Sequence, residues 1–228
     1  MEKICISMGG SIFSRDSGFN IEYITALAQL IKKYKDYKFV IVVGGGYASR
    51  LYIEHAREVV SNNLILDEIG IAFTKINTLL FKNFLKDYVD VYSREIKDID
   101  ELKEALIENR VVVLGGLMPG ITTDSIAVLA CEATNCKRLI NVSRESYVYT
   151  KNPKEKGAKR LDRLTHDQLI EIAFRSDART AGSNFIFDLV ASKLAKRSEI
   201  NLYFVDDDVK NMERVLLGKP HGGSTVKD

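Results

Sequence analysis

Short apolar runs recur along the chain and predict strands that are buried on both faces. Each run is rich in β-branched residues and is followed by glycine or polar residues, as expected where a strand ends. The runs are "KICISM" (3–8), "KFVIVV" (38–43), "RVVVLGG" (110–116), "KRLINVS" (137–143) and "INLYFV" (200–205). The more polar segment "YVDVYS" (88–93) is also predicted to be a strand.

The segments between these runs place apolar residues at helical spacing. Asn20 is a candidate N-cap for a first helix, whose apolar positions are Ile21, Ile24, Leu27, Ala28 and Ile31. Further helices are predicted over 66–85, over 98–109, from near Asp124, over 165–175 and over 188–197. Because strands and helices alternate, the sequence predicts an α/β fold with a mostly parallel sheet between two layers of helices.

The length of 228 residues is enough for one large domain or for two fused lobes. No internal repeat or low-complexity tract is found, and no linker divides the chain into independent domains. The polar and basic connection "YTKNPKEKGAKR" (149–160) is the best candidate for a flap or exposed loop.

Composition excludes several functional classes. Lys+Arg 33 against Asp+Glu 31 gives a net charge of +2, which does not predict nucleic-acid binding. No stretch approaches the ~18 apolar residues of a membrane span, and the N-terminus does not resemble a signal peptide. Cys5, Cys131 and Cys136 have no ligand-like spacing with the histidines, so neither structural zinc nor a disulfide framework is expected. The expected compartment is the cytoplasm.

Glycine turns follow three of the predicted strands, at Gly9–Gly10, Gly44–Gly46 and Gly115–Gly116. Glycine lets backbone N–H groups approach phosphate oxygens, and the carboxyl ends of strands are where open α/β sheets bind ligands. Any single turn of this kind can also be a tight strand–helix connection without a ligand. No Walker A loop and no G-x-G-x-x-G at a first β–α turn is present, so neither a P-loop ATPase nor a Rossmann dehydrogenase is predicted.

Several segments together resemble the amino acid kinase superfamily, and within it the archaeal-type uridylate kinases. In chain order they are "MGGS", "VVGGGYASR", "LDEIGIAFTKIN", "GGLMPGITTDS", "YVYTKNP" and "AGSNFIFDLVASKLAKRS". The resemblance covers essentially the whole chain. It implies a three-layer αβα sandwich in a single domain (1–228), with an acceptor lobe over about 1–136 and an ATP lobe over about 137–228. It also implies transfer of a phosphoryl group from ATP to UMP with Mg²⁺, and a homohexamer.

The resemblance assigns the acceptor to the first half of the chain. Gly44, Gly45 and Gly46 would line the nucleoside monophosphate, with Arg50 available to its phosphate. Asp67 would accept hydrogen bonds from ribose hydroxyls. Thr122 and Thr123 would reach the acceptor phosphate, while Thr74 and Asn77 are weaker candidates near the base and the subunit contact. The alternatives are a solvated arginine, a helix-surface aspartate and a plain N-cap at Thr123 or Asp124.

The transferring phosphoryl group is assigned to three further residues. Asp188 would orient positive groups or metal, Lys193 would neutralise phosphate charge, and Asp124 is assigned as a third catalytic residue. Gly182 and Ser183 precede Asp188 and Lys193 in the sequence. The alternative for Asp188 and Lys193 is a surface pair.

The resemblance assigns ATP binding to a set of residues in both halves, with no protein ligand for Mg²⁺. They are Gly9, Gly10, Ser11, Asn141, Tyr149 and Pro153.

The chain departs from the family pattern at three places. Ser7 stands where many superfamily members have lysine, and Met118 and Ile121 stand where archaeal relatives usually have histidine. The segment 143–147, "SRESY", replaces an Asp-Gly turn.

Because the resemblance covers essentially the whole chain, UMP kinase is the leading hypothesis. The alternatives are a relative that uses another small phosphate or carboxylate acceptor, and a non-catalytic nucleotide- or oxyanion-binding member.

Overall fold

The computed structural model describes residues 1–15, 18–151, 155–176 and 187–228. Pro153, Gly182 and Ser183, which the sequence analysis singled out, lie outside the described residues. Within the described part, no helix is both long enough and apolar enough to cross a membrane.

The strands follow the apolar runs closely. They are β1 (Glu2–Met8), β2 (Ser14–Arg15), β3 (Gly18–Phe19), β4 (Tyr37–Val43), β5 (Val111–Leu114), β6 (Arg138–Val142), β7 (Val148–Tyr149), β8 (Arg160–Leu161), β9 (Arg163–Leu164), β10 (Asn201–Val205) and β11 (Thr225–Val226).

The helices lie between them. They are α1 (Gly10–Phe13), α2 (Ile21–Lys33), α3 (Gly46–Ala56), α4 (Asn63–Leu85), α5 (Ile99–Glu108), α6 (Thr123–Ala133), α7 (His166–Ser176), α8 (Leu189–Arg197) and α9 (Val209–Leu216).

Among the described residues, seven strands form one sheet in the order β5-β4-β1-β6-β10-β11-β9. All neighbouring pairs in this order are parallel except β10 and β11, which are antiparallel. The prediction of a mostly parallel α/β sheet is therefore confirmed. β11 and β9 are two-residue strands that no apolar run indicated.

Successive side chains of each central strand pack into opposite cores, because side chains alternate across a sheet. In β1, Ile4 and Ile6 join the core beneath α2 and α9, whereas Cys5 joins the core beneath α5, α6 and α8. The two cores give the three layers of an αβα sandwich and explain why the central strands read as uninterrupted apolar runs.

The predicted strand at 88–93 is wrong. Only Val91 pairs with the sheet, through a single parallel bridge to Val111. The buried ammonium of Lys82 donates to the carbonyl oxygens of Ser93 (3.2 Å) and Arg94 (2.8 Å). These carbonyl oxygens are therefore bonded to a side chain instead of to a strand, and the pairing does not extend.

One other predicted element differs in the structure. α4 begins at Asn63 rather than at residue 66, because Asn62 caps it by accepting a 2.9 Å hydrogen bond from the Leu64 N–H. The polar connection over 149–160 joins β7 to β8, which pair antiparallel as a small hairpin. The helix α9 was not predicted from the sequence.

Candidate active site

The glycine turns lie along one edge of the sheet. Gly9 follows β1, Gly44 follows β4 and Gly115 follows β5, and these three strands run parallel side by side. β6 pairs with the other side of β1 and ends at the same edge. Three turns that are far apart in the sequence thus meet where open α/β sheets bind ligands.

The turn after β1 and the turn after β4 touch through their backbones. A Cβ atom on Gly10 would lie 2.0 Å from the backbone nitrogen of Gly46, and one on Gly44 would lie 2.6 Å from the nitrogen of Gly10. Gly46 also has a φ of 77°, in the left-handed region that favours glycine. Part of the glycine pattern is therefore required by packing alone.

Two buried side chains of α4 hold the glycine turns in place. The Asn77 amide donates to the carbonyl oxygens of Gly44 (2.8 Å) and Gly45 (3.0 Å). The Thr74 hydroxyl oxygen accepts a 2.8 Å hydrogen bond from the Gly116 N–H. In this protomer both side chains brace turns at the edge of the sheet.

The two charged residues predicted for the acceptor lie on α3 and α4. Asp67 accepts a 2.8 Å hydrogen bond from the Gly120 N–H, which ties α4 to the loop before α6. Arg50 is partly buried and forms no ion pair or hydrogen bond with the described residues. Burial lowers the pKa of Arg50, and the nearby positive charge of Arg144 lowers it further. The surroundings of Arg50 therefore favour an anion.

Asp124 lies in the first turn of α6 and is held from two strands. The Ser7 hydroxyl on β1 donates to its Oδ1 at 2.6 Å, and the Asn141 amide on β6 donates to the same oxygen at 2.9 Å. Burial raises the pKa of Asp124 to about 7, and the negative charge of Asp188 adds to this, although both hydrogen bonds act in the opposite direction. Asn141 is itself buried, and its Oδ1 has no hydrogen-bond partner among the described residues.

Asp188 is the N-cap of α8 and accepts a 2.9 Å hydrogen bond from the Ala191 N–H. Its Oδ2 also accepts a 2.5 Å hydrogen bond from the hydroxyl of Thr122, which is the N-cap of α6. Ser125 donates to the same carboxylate, at 3.2 Å from Oδ1. The N-cap of α6 is Thr122, so the alternative of an N-cap at Thr123 or Asp124 is wrong by one or two residues.

The N-termini of α6 and α8 meet at this carboxylate cluster. A helix N-terminus has partial positive charge and backbone N–H groups that favour anions such as phosphate. Asp124 and Asp188 supply carboxylate oxygens at the same place, and such oxygens are the ligands that Mg²⁺ prefers. The arrangement is therefore chemically suited to phosphate groups together with a divalent cation.

The remaining predicted residues are less closely joined to this cluster. Thr123 is the first residue of α6, Ser11 lies in α1 and Tyr149 lies in β7. Lys193 is exposed on α8 and forms no ion pair or hydrogen bond with a residue of the described ranges. The structure thus brings Asp188 to Asp124 and leaves Lys193 at the surface.

The unusual segment 143–147 is anchored at both ends. The Ser143 N–H donates to the carbonyl oxygen of Val205 (3.0 Å), and the Ser146 carbonyl oxygen accepts from the Ser224 N–H (2.9 Å). The Arg160 guanidinium lies over the Tyr147 ring, 4.6 Å from its centre. Since Gly9 donates to Val142 (2.9 Å), this segment begins directly beside the turn after β1.

Sequence reasoning missed two residues of the cluster, Ser7 and Ser125. Ser7 was treated as a departure from the family pattern, yet its hydroxyl binds Asp124 across 117 positions of sequence. Ser125 lies one position after Asp124, and its hydroxyl binds Asp188. The sequence has the hydroxyl-rich run "TTDS" at the start of a helix. Such a run predicts an N-cap, but it does not show which distant residues its hydroxyls bind.

Comparison with known proteins places the chain among kinases. Residues 2–206 match the model of the amino acid kinase family. A relative named uridylate kinase from Thermoplasma volcanium is 34% identical over 228 residues, which is 100% of this chain and 98% of the relative. Another of that name, from Archaeoglobus fulgidus, is 35% identical over 222 residues, covering 96% and 98%.

Solved structures agree with the fold. The crystal structure of uridylate kinase from Archaeoglobus fulgidus has a TM-score of 0.84 at 33% identity, covering 99% of this chain and 100% of that one. UMP kinase from Bacillus anthracis has a TM-score of 0.80 at 21% identity, covering 100% and 96%, and supports the fold alone. The chain therefore belongs to the amino acid kinase family.

Proposed function

We propose that the protein is a UMP kinase, a nucleoside monophosphate kinase that transfers the γ-phosphoryl group of ATP to UMP and yields UDP in pyrimidine nucleotide biosynthesis. The observation that carries the proposal is the cluster of Asp124 and Asp188 at the N-termini of two helices, beside the paired glycine turns. The full-length similarity to proteins named uridylate kinase supplies the substrate.

In this proposal the acceptor lies between the turn after β4 and the loop before α6. The N–H groups of Gly44, Gly45 and Gly46 line UMP, and Arg50 binds its phosphate through a charge-assisted contact. The environment of Arg50, with a second arginine nearby and no described carboxylate partner, supports this role.

The acceptor sugar and phosphate are assigned to two further groups. Asp67 binds the ribose hydroxyls with the carboxylate that also holds the Gly120 N–H. Thr122 and Thr123 contact the acceptor phosphate at the start of α6. The position of Thr122 as N-cap supports this, because the N–H groups of that turn point toward the same space.

Phosphoryl transfer requires positioning and charge neutralisation more than covalent chemistry by the protein. Asp188 orients the positive groups around the transferring phosphoryl. Asp124 holds the ends of β1 and β6 in position, because it accepts hydrogen bonds from Ser7 and Asn141. Lys193, exposed on α8, neutralises phosphate charge. Mg²⁺, bound with ATP, supplies Lewis-acid charge neutralisation, and the carboxylate of Asp188 and Oδ1 of Asn141 fit such an ion.

ATP is assigned to the strands on the other side of the cluster. Gly9, Gly10 and Ser11 border its phosphates, Asn141 faces the same space, and Tyr149 borders the adenine and ribose. Within one domain, the proposed acceptor lobe is residues 1–136 and the proposed ATP lobe is residues 137–228. The compartment that we propose is the cytoplasm.

The proposed assembly is a homohexamer. It is supported by an apolar face on α4 that is left exposed in the single chain, with Ile76 56%, Leu79 61% and Leu80 41% exposed. A second copy of the chain is the proposed occupant, because α4 also braces the glycine turns and its burial would stabilise them. Sedimentation would detect the hexamer, and Leu79→Lys is expected to produce smaller species.

Two observations favour a second candidate, a non-catalytic nucleotide-binding member of the family. Lys193 is exposed, and the segment 143–147 differs from the Asp-Gly turn of relatives. An isotopic assay with ATP, Mg²⁺ and a panel of UMP, CMP, AMP and small carboxylates separates the candidates. UDP formation with preference for UMP over CMP is expected. Equal use of CMP, transfer only to a carboxylate, or nucleotide binding without transfer would reject the UMP kinase proposal.

A further inference from the structure

The three cysteines of the chain lie together in the core, although they are far apart in the sequence. The sulfur atoms of Cys5, Cys131 and Cys136 all lie within 4.8 Å of one another. The residues are only 0%, 0% and 2% exposed. The spacing of these cysteines relative to the histidines predicted neither structural zinc nor a disulfide framework. It gave no sign that the three sulfur atoms meet.

The C-terminal end of α6 brings two of the sulfurs together. Thr134 ends the helix, and Asn135 turns the chain with a left-handed φ of 54°. The Cys136 N–H then donates back to the Cys131 carbonyl oxygen (2.8 Å), and the Asn135 N–H donates to that of Glu132 (3.1 Å). These two bonds are the Schellman pattern, in which the side chains at the Cys131 and Cys136 positions come into contact.

The third sulfur comes from the neighbouring strand. Cys5 lies on the face of β1 that packs against α6, in the same core as the other two cysteines. The chain enters β6 directly after Cys136 and pairs with β1, so that the Cys136 sulfur lies 3.0 Å from the Lys3 carbonyl oxygen. The fold therefore holds all three sulfurs on rigid elements.

A cavity lies beside the cluster. A cavity of about 360 Å³ opens beside it, and Cys136 forms part of its wall. The other lining residues are Met1, Glu2, Lys3, Asn135, Lys137 and Arg138. Cys136 is therefore the member of the trio that lies at the wall of the cavity.

We propose that Cys5, Cys131 and Cys136 form a binding site for one monovalent copper ion with three sulfur ligands. Soft thiolate ligands select Cu(I), and a planar three-sulfur site with bonds of about 2.3 Å separates its sulfurs by about 4 Å. That separation is within the spacing of the trio. Structural zinc requires a fourth ligand, and among the described residues no histidine or carboxylate joins the three sulfurs at that mutual distance.

Binding involves no electron transfer. Copper enters and stays monovalent, and each sulfur that binds as thiolate releases its proton to solvent. The Cys136 thiol donates to the carbonyl oxygens of Lys3 (3.0 Å) and Arg138 (3.2 Å), and it loses this proton when the sulfur binds copper.

The site is separate from the proposed kinase centre. Asp124 is in the first turn of α6, whereas Cys131 is in its last turn, about 10 Å further along the helix axis at 1.5 Å per residue. Cysteine substitutions should therefore leave phosphoryl transfer intact, and kinase activity can serve as a check that each variant is folded. Failure of the kinase proposal would not affect the copper experiment, since circular dichroism gives the same check.

The test is an anaerobic titration of the reduced full-length protein with Cu(I) against bicinchoninate as a coloured competitor. One Cu(I) per chain is expected, with near-ultraviolet absorption from sulfur-to-copper charge transfer. Cys136→Ala and Cys131→Ser should each weaken binding more than about 100-fold, beyond the loss expected from an outer-shell partner. The matched control His55→Gln, which removes an exposed imidazole, should leave the affinity unchanged.

X-ray absorption on the copper-loaded wild-type protein tests the ligand set without any substitution. Three sulfur neighbours and no nitrogen are expected. The proposal is overturned if wild-type protein competes no better than Cys136→Ala, if the spectrum shows nitrogen ligands, or if Zn(II) displaces Cu(I) at equal concentration. In each case the trio is a packing contact or a different metal site.

Discussion

The hydroxyl of Thr122 donates a 2.5 Å hydrogen bond to the carboxylate of Asp188, and each of these residues is the N-cap of a helix. The bond ties the first turn of α6 to the first turn of α8, although the two residues are 66 positions apart. The two caps therefore fix the angle at which both helix N-termini face the proposed phosphates. A change at either residue should alter both helices.

The first prediction concerns turnover. Asp188→Asn and Lys193→Met should each lower kcat by on the order of 10²-fold or more, because both groups are proposed to act on charge that develops during transfer. Steady-state kinetics with saturating UMP and ATP measures this. Lys196→Met, on the same helix, is the control and should remain active. A folded and fully active variant at either position would return that residue to a surface role.

The second prediction concerns Arg50. Arg50→Ala should raise the KM for UMP by roughly tenfold or more with a smaller change in kcat, since a charge-assisted contact to a phosphate is present before transfer as well. Arg214→Ala, at an exposed arginine on α9, is the matched control. Calorimetric titration with UMP provides an independent measurement. An unchanged UMP affinity would contradict the assignment of Arg50 to the acceptor phosphate.

The third prediction concerns pH and stability. The pKa of Asp124 is about 7 in the folded protein against an ordinary value of 3.8, so folding favours its protonated form. The free energy of unfolding therefore falls as the pH rises from 3.8 through about 7. Above about pH 7 the ionised carboxylate destabilises the folded protein. Asn at this position keeps the oxygen that accepts from Ser7 and Asn141 but does not ionise.

Asp124→Asn should consequently gain stability over wild type as the pH rises from about 5 to about 8, on the order of 2 kcal/mol at the upper end after allowance for partial solvent exposure. Denaturant unfolding at several pH values measures the difference. The same variant should lose most of its turnover. A difference that is independent of pH would show that the folded protein does not raise this pKa.

The fourth prediction concerns the segment 143–147. Replacing Ser143–Tyr147 with Asp-Gly should tighten ATP binding. The five residues carry Arg144 and Glu145 and cannot make the tight turn that glycine permits. Wild-type protein should also distinguish ATP from GTP less sharply than the variant does. Calorimetry with both triphosphates checks the prediction, and an unaltered ATP affinity in the swapped protein would count against it.

The sheet was well predicted because its central strands are buried on both faces. Uninterrupted runs such as "KFVIVV" are typical of strands that helices cover on both sides. The strand prediction failed for the more polar segment 88–93, where a lysine from α4 binds the carbonyl oxygens of Ser93 and Arg94. No local pattern in residues 88–93 reports an interaction with Lys82.

The candidate site was predicted residue by residue but not as a set of contacts. Asp124 and Asp188 were identified, yet the groups that hold them, Ser7 and Ser125, were not. Hydroxyl residues are common in turns, and their partners depend on which strands become neighbours. The cysteine trio was missed for the same reason, since its contact depends on the end of α6 meeting β1.

The backbone contact between Gly10 and Gly46 limits the evolution of this chain. Both residues already have the smallest side chain, so no compensating substitution at one position makes room for a larger residue at the other. A descendant that lost catalysis and kept the fold would have to keep both glycines. A library randomised at both positions and selected only for solubility should therefore return glycine at each, whereas Arg50 would be free to drift.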